Sequence, residues 1–105
     1  MQLAHYSTDD LKRQVLAIIS RHVDHLNQYH VFFFGSRVKG NTNEGADIDI
    51  GIEGDEPVPL SSLSGISEEC EELPILYKID IVDFKRVDES FKAQAKSSIK
   101  TIQLS

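Results

Sequence analysis

Gly35-Ser36-Arg37-Val38-Lys39-Gly40-Asn41-Thr42-Asn43-Glu44-Gly45-Ala46-Asp47-Ile48-Asp49 follows directly on the bulky apolar run Val31-Phe32-Phe33-Phe34. The order is a buried strand, a glycine-serine turn, two basic residues, a polar loop, and two aspartates one residue apart on a second strand. Side chains alternate between the faces of a strand, so Asp47 and Asp49 share one face while Ile48, Ile50 and Ile52 share the other. Two carboxylates aimed at one spot repel each other and raise each other's pKa, which points to a cation between them. Oxygen-only ligation suits Mg²⁺ or Mn²⁺ better than zinc. Gly35 lets a ligand approach the backbone closely, Ser36 offers a hydroxyl and an N–H, and Arg37 and Lys39 add positive charge. Taken singly, a Gly-Ser pair is an ordinary turn and an Asp-x-Asp an ordinary solvated strand end. In this order they read as a phosphate-and-metal site, and a nucleoside triphosphate with its metal suits both halves.

Two-metal chemistry calls for a third carboxylate, and Ile75-Leu76-Tyr77-Lys78-Ile79-Asp80-Ile81-Val82-Asp83-Phe84 supplies candidates. Asp80 lies between Ile79 and Ile81, and an acid embedded in a buried strand is costly unless it has a metal or a hydrogen-bond partner. Asp83 has the opposite phase and lies nearer the strand end, where capping or solvent is the expected role. On that burial argument Asp80 is preferred.

The pattern of Gly35-Ser36, Asp47-Ile48-Asp49 and Asp80 within Lys78-Ile79-Asp80-Ile81-Val82-Asp83 resembles the minimal nucleotidyltransferases of the DNA polymerase beta superfamily. These are small partners of HEPN-domain proteins in bacterial and archaeal toxin-antitoxin pairs. The resemblance covers almost the whole chain; the family's usual serine before the first aspartate is replaced by Ala46, which removes a hydroxyl but no metal ligand. It implies an α/β fold, a small mixed β-sheet with helices packed mainly on one side and the carboxylates at its exposed end. It also implies transfer of a nucleoside monophosphate, AMP from ATP, with Asp47, Asp49 and Asp80 as the metal-binding and catalytic set. In that set Asp80 helps deprotonate the acceptor hydroxyl, and Gly35 and Ser36 hold the triphosphate. The implied acceptor is a HEPN toxin, silenced when a tyrosine or other hydroxyl near its active site receives AMP. Two other readings stay open: an antitoxin that neutralises by binding alone, and an enzyme modifying a small hydroxylated molecule such as an aminoglycoside, with a pocket built between two subunits of a homodimer.

The 105 residues are expected to form one domain, 1–105, with a modest core, which leaves the acceptor's binding surface to the acceptor itself. No apolar run is long enough to span a bilayer, and the N-terminus lacks the pattern of a signal peptide, so the expected location is the cytoplasm. A net charge of −6 argues against nonspecific nucleic-acid binding, which needs basic residues to displace counterions. The acidic cluster Glu68-Glu69 and Glu71-Glu72 reads as a solvated helix face or a contact for a basic partner. The single cysteine, Cys70, has no internal disulfide partner and falls on an apolar helical position, so it reads as a buried thiol.

Along the chain, Leu11, Val15, Ile18, Ile19, Val23 and Leu26 make an apolar stripe that predicts a helix from Thr8 to Gln28, with Ser7 as its cap and Tyr6 stapled to Leu11. His22, His25 and His30 lack a carboxylate or cysteine at ligand spacing and read as surface or boundary histidines. Strands are predicted at Val31–Phe34, Ala46–Glu53 and Ile75–Phe84. One helical turn is predicted at Ser36–Lys39, and a second long helix between Leu60 and Leu73, closed by Pro74. At the C-terminus Phe91, Ala95 and Ile99 suit a helix, and Lys100–Leu104 a short edge strand.

Overall fold

The computed structural model describes residues 6–35, 38 and 47–103. Helix α1, Thr8–Ser20, starts where predicted: the Ser7 hydroxyl accepts the Asp10 N–H, and Asp9 and Asp10 place negative charge at the positive end of the helix dipole. It stops eight residues earlier than the apolar stripe suggests. The Ser20 hydroxyl donates to the Ala17 carbonyl, and the N–H groups of Arg21, His22 and Val23 close onto Ile18 and Ile19. The last turn is thereby tightened and ended, and Leu26–Gln28 forms a separate 3₁₀ turn. Val23 and Leu26 still pack on the core, so the stripe reports burial correctly and helix length incorrectly.

Strand β1 is His30–Phe34 and β2 is Ile48–Glu53; helix α2, Leu60–Glu71, crosses over to β3, Ile79–Asp83; helix α3, Glu89–Ala95, leads to β4, Ile99–Gln103. The sheet order is β3-β2-β1-β4. Strand β1 is antiparallel to both β2 and β4, and β2 is parallel to β3, which makes the sheet mixed. Strand β3 begins four residues later than predicted, because its first partner residue, Ile48, is where β2 begins; one further bond, Ile48 N–H to the Lys78 carbonyl, closes the edge. Ile99 opens β4 instead of extending a helix. Leu104, Ala46 and the loop 41–45 lie outside the described residues.

Alternation sorts the core into two faces. Val31, Phe33, Ile48, Ile50 and Ile52 pack under Leu11, Val15, Ile18 and Ile19 of α1 and Ile66 and Cys70 of α2. Each fully buried side chain of this kind contributes roughly 1.5–3 kcal/mol. On the other face Phe32, Phe34 and Phe84 form a smaller cluster, flanked by Val82, Val87, Ala95 and Ile99. Two helices thus cover one face, and α3 covers part of the second. Gly51 lies beneath that second cluster, where a Cβ would collide with the rings of Phe32 and Phe84. Among the described residues no helix is long and apolar enough to cross a membrane.

The two long helices are joined at their surface. Glu69 accepts from Arg21 and contacts His22, and these two partners, Arg21 first, hold its carboxyl below the usual range. Glu69 is therefore a tie between α1 and α2 and not simply part of a solvated face, and a carboxylate does lie against His22, supplied from 47 residues away.

Candidate active site

The antiparallel register pairs Phe34 with Asp49, and the parallel register pairs Asp49 with Asp80. Phe34 also pairs with Ile99 on its other side. One row across the sheet therefore reads Ile99, Phe34, Asp49, Asp80, all on the face opposite the α1–α2 layer. The row is apolar at one end and acidic at the other.

Asp47 directly precedes β2 and is not part of its ladder, but its charge reaches Asp49. The Asp49 carboxyl is raised above its ordinary value, first by burial, then by the charge of Asp80, then by that of Asp47. Three acids thus share one electrostatic neighbourhood. Among the described residues no three His, Cys, Asp or Glu side chains stand close enough together to hold a metal ion.

Gly35 ends β1 beside this group. Its φ of +85° lies in the left-handed region, and a Cβ there would overlap the Asp49 carboxylate. Glycine is thus required twice over, by backbone conformation and by the acid packed against it. Of the remaining predicted phosphate ligands, Ser36, Arg37 and Lys39 lie outside the described residues; Val38, between them, packs on the main core.

The choice between Asp80 and Asp83 has a different physical basis from the one predicted. The Asp80 side chain is 39% exposed, with the Lys78 ammonium 3.6 Å away. Asp83 is the buried acid, its side chain only 2% exposed. Its cost is met structurally: the carboxylate accepts N–H groups from Val58 at 2.8 Å and Lys85 at 2.9 Å and pairs with Arg86 at 3.2 Å. Arg86 in turn donates to the Val58 carbonyl, so Asp83 and Arg86 grip the same residue ahead of α2. Burial marked the structural acid, and strand register marks Asp80 as the neighbour of Asp49.

The donor chemistry suits a hard divalent cation: carboxylate oxygens only, with one acid already raised by burial and then by its like-charged neighbours. Next to Gly35, on the apolar side of the row, lies a cavity of about 220 Å³ lined by Phe34, Gly35, Phe91, Gln94 and Ala95. Phe91 and Gln94 were not among the predicted site residues. The available signal was an aromatic side chain on a short terminal helix, which is 41% exposed in the fold.

A mixed sheet that brings an Asp-x-Asp and a third aspartate to a glycine turn is the framework of a nucleotidyltransferase, and the chain belongs to the family Polymerase beta, Nucleotidyltransferase, whose sequence profile matches residues 14–103. In sequence it is 31% identical over 84 residues to the probable protein adenylyltransferase MntA of Haemophilus influenzae, spanning 79% of this chain and 74% of that protein. Its fold superimposes with a TM-score of 0.72 on a toxin-antitoxin crystal structure with AMP-PNP, at 14% identity and covering 90% of this chain and 73% of the other. A TM-score of 0.67, also at 14% identity, relates it to a complex of tri-AMPylated Shewanella oneidensis HEPN toxin with MNT antitoxin, over 93% of this chain and 74% of the other. At these identities the structural matches carry the fold.

Proposed function

We propose that this protein transfers AMP from ATP to a hydroxyl of a HEPN-domain toxin and thereby acts as the toxin's antitoxin. The observation that carries the reading is the juxtaposition of Asp47, Asp49 and Asp80 beside Gly35 in a chain of the nucleotidyltransferase family. The partner is supported by the MntA relative and by the fold shared with MNT antitoxins in toxin complexes.

Asp47, Asp49 and Asp80 are the residues that would hold Mg²⁺ or Mn²⁺. When bound, such an ion neutralises charge on the nucleotide phosphates. The protein's own residues do the rest. Gly35, free of a side chain, lets phosphate oxygens reach the backbone beside Asp49, and Ser36, Arg37 and Lys39 supply further donors from the following residues. Asp80, the more open acid, accepts the proton of the incoming hydroxyl. That oxygen bonds to the α-phosphorus, the bond from the α-phosphorus to the bridging oxygen breaks, and pyrophosphate leaves with the electron pair.

The test is incubation with each α-³²P-labelled nucleoside triphosphate and Mg²⁺, alone and with the product of the neighbouring gene. Label on that partner from ATP, lost in Asp47→Asn, is the expected result. A tight complex that neutralises the toxin without any label would replace this reading with neutralisation by binding; label on a purified aminoglycoside alone would replace it with a small-molecule acceptor.

A further inference from the structure

We infer that the cavity between the end of β1 and helix α3 is the nucleobase pocket, with Phe91 as the stacking residue and Gln94 as the residue that selects adenine. The inference rests on the nucleotidyl-transfer reading above and adds to it the part of the site that recognises the base.

The first argument is polarity. The sheet row changes from acidic at Asp80 and Asp49 to apolar at Phe34 and Ile99, and Gly35 marks the boundary. A nucleoside triphosphate has the same order, anionic at one end and a flat, weakly polar ring at the other. With phosphates at Gly35 and the acids, the base falls on the Phe34 side.

The second argument is size and lining. The cavity shares Gly35 with the acidic site and continues over Phe34 to Phe91, Gln94 and Ala95. Its volume of about 220 Å³ is below the ~300–1,000 Å³ of pockets that enclose a whole ligand, so it suits one ring system. Phe91 sits edge-on to Phe34 at 6.1 Å and tilted to Phe84 at 5.8 Å, leaving 41% of the residue exposed. An aromatic ring supported on one side and open on the other is a stacking platform. Gln94 contributes the polar side chain of the lining. Its amide offers a donor and an acceptor side by side, which complements the amino group and adjacent ring nitrogen of adenine.

The third argument is that α3 is held in place over this face. Lys92 and Lys96 both pair with Glu53 of β2, and Asp88 caps the helix by accepting the Phe91 N–H at 2.7 Å. The platform is thus positioned before any ligand arrives.

Calorimetric titration of the protein with ATP, GTP, CTP and inorganic tripolyphosphate, each with Mg²⁺, tests the assignment. The wild type is expected to bind ATP more tightly than the other nucleotides. Phe91→Leu, which keeps apolar packing, should weaken ATP binding about tenfold or more while leaving tripolyphosphate unchanged. Gln94→Leu, at an exposed position, should bring ATP and GTP to within a few-fold of each other. Wild-type ATP affinity and preference in both variants would overturn the pocket and leave the nucleotidyl-transfer reading standing. Absence of binding by any nucleotide and by tripolyphosphate would overturn both.

Discussion

Asp49 and Asp80 stand directly opposite each other in the parallel ladder of β2 and β3, and Gly35 closes on Asp49 in space that a Cβ would fill. The fold therefore concentrates negative charge where it is least comfortable. Burial raises the Asp49 carboxyl first, and Asp80 and Asp47 raise it further. A site with this tension is relieved by a bound cation, which links its electrostatics to its chemistry.

Substitution of Asp49 by asparagine separates the two. Asp49 keeps its proton to higher pH in the folded than in the unfolded chain, so ionising it costs stability. The cost is absent below the ordinary aspartate range, grows as pH rises through it, and is complete above the raised folded value. At neutral pH without metal, Asp49→Asn is expected to melt at or above the wild-type temperature, and the difference should close in acid. Mg²⁺ should raise the melting temperature of the wild type and not of the variant. Transfer should fall by at least about 100-fold, since a metal clamp supplies several kcal/mol. A wild-type melting temperature indifferent to divalent ions would count against a cation between these acids.

Gly35→Ala is expected to damage fold and activity together. The φ of +85° disfavours a side chain, and the new methyl would push on the Asp49 carboxylate. A cost of about 1–3 kcal/mol is expected in urea unfolding, with loss of nucleotide transfer even where the protein remains folded. Wild-type activity in a folded Gly35→Ala protein would show that the Asp49 position is not critical.

Periodicity located the strands and the main apolar layer, because each depends on neighbours a few residues apart: Ile48, Ile50 and Ile52 are buried together, and Ser7 caps α1. What it missed depends on contacts distant in sequence. Nothing near Ser20 announces that Arg21 and His22 turn toward Glu69, and the start of β3 is set by its partner strand. The relative burial of Asp80 and Asp83 was misjudged for the same reason, since Asp83 is enclosed by Val58 and Arg86, supplied by the entry to α2 and by the turn after β3. The Asp-x-Asp and the glycine turn were legible because they are local; the cavity under Phe91 was not, because its walls come from β1 and α3.

Cys70 gives a prediction on the far side of the protein from the acids. Burial first, and the charge of Glu69 second, push its thiol from 9.0 up to about 11. Between pH 9 and 11 the unfolded chain loses this proton while the folded chain keeps it, so stability should fall across that window and be unaffected by this group at neutral pH. Cys70→Ala should remove that alkaline decline at the cost of a small cavity. The native thiol should also react slowly with a disulfide reagent at pH 8 and rapidly in denaturant. Fast native labelling would contradict its burial.

Asp80 and Asp83, three residues apart, should respond oppositely to alanine. Removing the Asp83 carboxylate strands the Val58 and Lys85 N–H groups and leaves Arg86 without its partner, so Asp83→Ala is expected to lose about 2–3 kcal/mol in stability. Its effect on transfer per folded molecule should be small, because none of those contacts faces Asp49. Asp80→Ala removes a half-exposed acid whose pairing is with the exposed Lys78, so its melting temperature should stay near that of the wild type. Transfer should nevertheless collapse, because the proposed proton acceptor and one third of the proposed carboxylate set are gone. Paired melting and labelling measurements on the two variants decide the assignment: if Asp83→Ala abolished transfer while folded, or Asp80→Ala kept it, the third acid would be Asp83 and the register argument would be wrong.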